Sequence, residues 1–133
     1  MNNETLISQW LKFARDDLLM ARHAFEEVHP KQIFIACYHC QQASEKALKA
    51  YLIFKDTEFP YTHDLANLCY LCTDHDEVFH DILNDCSDLT PFAIQTRYPG
   101  NREITEEETA SALRKPERIV NFCADLIKPL ERE

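Results

Sequence analysis

Four side chains in this sequence have the chemistry to meet a phosphate: Lys46 and Lys49 in the run Cys40 to Leu52 (CQQASEKALKAYL), His63 in Thr62-His63-Asp64-Leu65, and Arg97 in Arg97-Tyr98-Pro99. A guanidinium stabilises charge developing on a phosphate, an imidazole handles a proton, and the free backbone N–H groups of a helix start add donors. On that reading His63 faces Arg97 across one end of the fold and the two attract a phosphate together. Each residue also has a plainer reading. Lys46 and Lys49 read as a solvated ridge, His63-Asp64 as a cap that ties a loop to a helix, and Arg97 as a side chain that fixes its turn on backbone carbonyls.

Other chemistries are weaker in this sequence. Cys37-Tyr38-His39-Cys40 and Cys69-Tyr70-Leu71-Cys72 have the spacing of two zinc knuckles, but both lie inside helical patterns without the Gly or Pro turns that wrap a metal. Thiols at helical i, i+3 spacing pack as small apolar groups, so buried reduced cysteines and no metal are expected. Asp16-Asp17 and Glu106-Glu107-Glu108 read as helix surface and helix-start charge. No Ser-His-acid or Cys-His arrangement stands out, and no catalytic residue is assigned. The only glycine, Gly100, is too few for a phosphate-cradling loop or a dinucleotide fold, and no cofactor is expected.

The elements that must position these residues are helices. Ala36, Cys40, Ala43, Ala47 and Ala50 fall four and three apart, a seam of small side chains that lets another helix come close, while Gln42, Glu45, Lys46 and Lys49 share the opposite arc and are expected to face outward. This helix runs from about Lys31 to Phe54. Before it, Leu6, Trp10, Ala14, Leu18, Ala21, Phe25 and Val28 mark a long amphipathic helix that His29-Pro30 ends. Thr62 or His63 precedes a shorter helix through Leu65, Leu68 and Cys72; Val78 to Leu89 marks a fourth, which Asp76 caps and Pro91 interrupts. Thr105 and Glu108 form a capping box for the last helix, and Pro116 predicts a break in it near Arg114. No alternating strand pattern competes. The fold class expected is all-α, an antiparallel up-and-down bundle of four to five helices, in one domain over residues 1–133.

Composition narrows the partners. With 45% apolar residues and no low-complexity run, the chain should fold as a globular protein. The formal net charge of −9 repels a phosphate backbone at long range, so any nucleic-acid contact must use a local patch. The start, MNNETLISQW, lacks the basic-then-apolar pattern of a secretory signal, and no apolar run approaches the roughly 20 residues that cross a bilayer. A cytoplasmic protein without membrane contact is expected. Ile35 and Ile53 project on the polar side of the second helix, which predicts a homodimer that covers them.

The motifs QQASEKALKAYL, THDL and RYP, in that order over nearly the whole chain, resemble the HEPN domain family of higher eukaryotes and prokaryotes. In that family an arginine, a short spacer and a histidine near the start of the final helix cleave RNA. Arg97 matches the arginine of the family's RYP-type variant. The histidine is missing: the last one in the chain is His80, and Arg102, Glu103 and Ile104 stand where it belongs. Arg22 and His29 meet the spacing by accident, in the first helix. Tyr98 does not occupy the position of the tyrosine that a partner nucleotidyltransferase modifies. The resemblance therefore implies a noncatalytic binding module, acting with a small nucleotidyltransferase in a toxin-antitoxin-like pair and taking nucleotide or RNA through Arg97, His63, Lys46 and Lys49. The alternative is a metal-independent ribonuclease in which another group replaces the motif histidine.

Overall fold

Ile7, Leu11, Ala14 and Ala21 form the buried stripe of helix α1 (Asn3–Arg22) in the computed structural model, which describes residues 3–93 and 103–131. The stripe lies slightly off the expected one. Leu6, Trp10, Leu18 and Phe25 are its half-buried flanks. A wider π-type turn, His23–Glu27, prolongs α1, and the helical backbone ends at Val28, which is extended, two residues ahead of Pro30.

Helix α2 (Ile33–Phe54) runs back along α1 and also packs on α6, so it lies at the centre of the bundle. Ala36, Cys40, Ala43, Ala47 and Ala50 are all fully buried, and the small-residue seam lies inside, as their spacing implies. The opposite arc corrects the expectation. Of that arc Glu45 and Lys49 are buried and Gln42 and Lys46 half-buried, and the neighbouring Gln41 and Ser44 are buried too, because a central helix has neighbours on almost every side and keeps little solvent face. Ile35 is exposed as expected, whereas Ile53 is half-buried against the core.

Residues 55–64 turn the chain, with Asp56 at φ 50° in the left-handed region that a short carboxyl side chain tolerates. Helix α3 (Leu65–Thr73) is capped by Asp64, one residue after His63 and two after Thr62: its carboxylate accepts from the Asn67 N–H at 3.2 Å, where the positive end of the helix favours a negative charge. Thr62 instead accepts from the Asp64 N–H at 3.0 Å. The expected fourth helix is two pieces, a 3-10 segment Glu77–Ile82 capped by Asp76 and the helix α4 (Leu83–Leu89), with a further 3-10 turn, Thr90–Ala93, around Pro91.

The last expected helix is α5 (Glu106–Ala112) and α6 (Arg114–Glu131), parted at Leu113. Thr105 Oγ1 accepts from the Glu108 N–H at 3.0 Å and Glu108 returns the bond to the Thr105 N–H at 3.3 Å, which completes the capping box. Pro116 falls in the first turn of α6, where no intrahelical partner for its missing N–H is lost. With α5 and α6 counted as one broken member, the architecture is an all-α bundle of five helices, and the described residues contain no strand.

One core joins the elements: Leu11 of α1, Leu48 and Leu52 of α2, Leu68 of α3, Leu89 of α4 and Ile119 and Ile127 of α6 are fully buried in it. The Phe79 ring packs tilted against Tyr51, 4.5 Å between centroids, and edge to face against Phe122 at 5.1 Å. Burial pushes the Tyr51 phenol up to about 12. All six cysteines are buried and unbridged, and burial drives the Cys40, Cys72 and Cys123 thiols up, away from the reactive thiolate form. Among the described residues no group of His, Cys, Asp or Glu is arranged to hold a metal, and no helix is long and apolar enough to cross a membrane.

Candidate functional site

The polar groups of α2 cannot all reach water, so they pair, and they do so around two carboxylates. The first is Asp17 on α1, a charged residue in the phase of the buried stripe, three after Ala14 and four before Ala21. Lys46 donates to its Oδ2 at 2.6 Å, and the His39 ring nitrogen Nδ1 lies 2.8 Å from its Oδ1. Both donors come from α2, so the cluster clamps the two helices together. This is where the structure places Lys46: on a carboxylate, with its side chain 24% exposed.

The second carboxylate is Glu45, one residue before Lys46 but on another side of α2. Lys49, one turn on, donates to its Oε2 at 3.0 Å, Gln41, one turn back, donates to its Oε1 at 3.1 Å, and His63 Nδ1 lies 2.7 Å from the same Oε1. Gln41 also donates to the His63 carbonyl at 3.1 Å and accepts from the Gln42 amide at 2.8 Å. Burial alone would push the Glu45 carboxyl up. The hydrogen bonds from His63, Lys49 and Gln41, with the nearby Lys49 charge, outweigh that and hold it below its usual 4.5, so it is an anion in a cage of donors.

Lys49 is not the solvated residue its sequence position suggested. Its side chain is only 7% exposed, and beyond Glu45 the ammonium sits 5.6 Å from the Phe59 ring and 5.9 Å from the Tyr61 ring. Aromatic faces attract a cation and replace part of its water. His63 is different: the loop ahead of α3 leaves its side chain 43% exposed while the buried carboxylate fixes its orientation. Tyr61 stands beside it, edge to face at 5.7 Å, and is 92% exposed.

Of the four sequence candidates, then, Lys49 and His63 share one cluster, Lys46 belongs to the other, and Arg97 lies outside the described residues, as does its facing of His63. Sequence reasoning missed Glu45 as the organiser, although its i, i+4 spacing to Lys49 is that of an intrahelical ion pair. It also missed Asp17 and His39, for which the signal was an acid on an apolar stripe. Tyr61 had no signal beyond its type.

The sequence profile of the HEPN domain matches residues 7–126. Among solved structures, TT1696 from Thermus thermophilus is similar at a TM-score of 0.78 and 25% identity, over 94% of this chain and 98% of that one. ST0689, an archaeal HEPN homologue, is similar at a TM-score of 0.71 and 28% identity, over 91% of this chain and 97% of that one. No curated protein sequence matches this chain.

Proposed function

From the premise that the chain belongs to the HEPN domain family, we propose that it is a noncatalytic binding module that works as a homodimer beside a small nucleotidyltransferase, in a toxin-antitoxin-like pair, and takes nucleotide or RNA. The observation that carries the binding reading is the Glu45 cluster. A buried carboxylate presents a half-exposed imidazole next to an almost fully exposed tyrosine ring, an arrangement that packing alone does not call for. The noncatalytic reading is supported by Arg102, Glu103 and Ile104 standing where the family's motif has its histidine. A second chain is supported by apolar side chains left exposed on the first two helices, Phe13, Leu19 and Met20 of α1 and Phe34 and Ile35 of α2.

The Glu45–His63 pair also favours one rival. A carboxylate that orients an imidazole is the arrangement of a general base, and a ribonuclease that has replaced its motif histidine would draw on it. Three measurements separate the readings. Titration of ATP and of a short RNA should show binding that weakens in His63→Ala. Incubation with mixed RNA should show no cleavage. RNA cleavage that His63→Ala abolishes would establish the rival, and the absence of any ligand binding would remove the nucleotide reading. Light scattering at micromolar concentration should give twice the chain mass, and a strictly monomeric mass would reject the dimer.

A further inference from the structure

We propose that the surface formed by Tyr61 and His63 takes the base of a nucleotide and not its phosphate. The proposal rests on the nucleotide reading above and makes its chemistry specific.

Charge decides between base and phosphate. A phosphate site needs a cation whose charge is free to act on the ligand. Lys49 is neutralised by Glu45 at 3.0 Å and roofed by Phe59 and Tyr61, and Lys46 is neutralised by Asp17 at 2.6 Å. Neither candidate lysine is left to attract an anion. What the cluster does present outward is the free edge of the His63 ring. In the tautomer whose Nδ1–H donates a hydrogen bond to Glu45, the Nε2 lone pair is free, and no described residue hydrogen-bonds to Nε2. A lone pair accepts from an N–H or O–H donor, such as the exocyclic amino group of a purine or pyrimidine, and has no attraction for a phosphate oxygen.

Tyr61 supplies the second half. Its ring is 92% exposed and 5.7 Å from the His63 ring, so a base laid on its open face comes within reach of Nε2. Stacking on an aromatic side chain is how proteins hold bases without relying on charge. Glu45 is then a positioning residue, which fixes the ring and the tautomer of His63 and is too buried to meet the ligand itself.

The test is calorimetric titration of adenosine, ATP, ribose 5-phosphate and a short single-stranded RNA into the full chain and into Tyr61→Ala, Tyr61→Phe and His63→Ala. Adenosine should bind within about threefold of ATP, and ribose 5-phosphate should give no heat. Tyr61→Ala should weaken adenosine roughly tenfold and Tyr61→Phe should preserve it, since stacking needs the ring and not the hydroxyl. Because Tyr61 is exposed, an unchanged thermal melt shows that its loss leaves the fold intact. If ATP or the RNA binds while adenosine stays silent, or if Tyr61→Ala binds adenosine as the wild type does, the base assignment is overturned and the nucleotide reading stands. If none of adenosine, ATP and RNA binds, both fall.

Discussion

Asp17 and Glu45 are each a carboxylate held by one lysine and one histidine, at 2.6 and 2.8 Å for Asp17 and at 3.0 and 2.7 Å for Glu45, yet they are built for different work. Around Asp17 both donors come from the facing helix, so the bonds join α1 to α2 and every group is tied between two rigid elements. Around Glu45 the lysine lies on the same helix, and the histidine arrives from an irregular loop with an exposed aromatic ring beside it. The same charges make a fastener in one place and a presented side chain in the other. What separates them is the element that carries the imidazole: a helix holds it half-buried between two rigid elements, whereas a loop leaves it more exposed.

The largest effect that could break this comparison is on stability. Glu45→Ala leaves the Lys49 ammonium buried without a counter-charge, and thermal or urea unfolding should register a loss of about 3 to 5 kcal/mol. Asp17→Ala should lose less, about 1 to 3 kcal/mol, because Lys46 and His39, each 24% exposed, can turn toward water. Equal losses would mean that the lysine exposures do not set the energetics.

Ala47→Leu probes the seam that brings α2 against its neighbours. Ala47 is fully buried, so the added volume should overpack the core and lower stability by about 1 to 3 kcal/mol. An unchanged melting temperature would contradict the close approach of the helices.

A smaller effect should appear with acid. The folded Glu45 carboxyl is held below its usual 4.5, so its contribution is fully present above that value and is lost as pH falls through the folded value. Stability of the wild type should therefore decline below about pH 4.5, and Glu45→Gln should flatten that part of the profile. A profile that Glu45→Gln leaves unchanged would mean that Glu45 is not the titrating group.

Much of the bundle was legible because its signals are local. The alanine seam of α2, the Thr105 capping box and the break ahead of Pro116 each depend on residues within a turn or two of each other, and the structure has all three. The start of the third helix was misplaced by one or two residues because Thr62, His63 and Asp64 are all polar candidates and the carboxylate won the cap. The site was less legible because burial is not local. Glu45 and Lys49 show their pairing through spacing, but the rings of Phe59 and Tyr61 and the imidazole of His63, which convert a helix surface into a buried cluster, come from a loop many residues on. Asp17 could have been found by asking why an acid sits in phase with Ala14 and Ala21; its partners His39 and Lys46 could not.

The central claim is that only the Glu45 cluster meets a ligand. Calorimetric titration of ATP into His39→Ala and His63→Ala tests it most directly, since each removes the histidine of one cluster. Wild-type affinity is expected in His39→Ala and roughly tenfold weaker binding in His63→Ala. Equal affinities in the two variants, or weakening in His39→Ala alone, would contradict it.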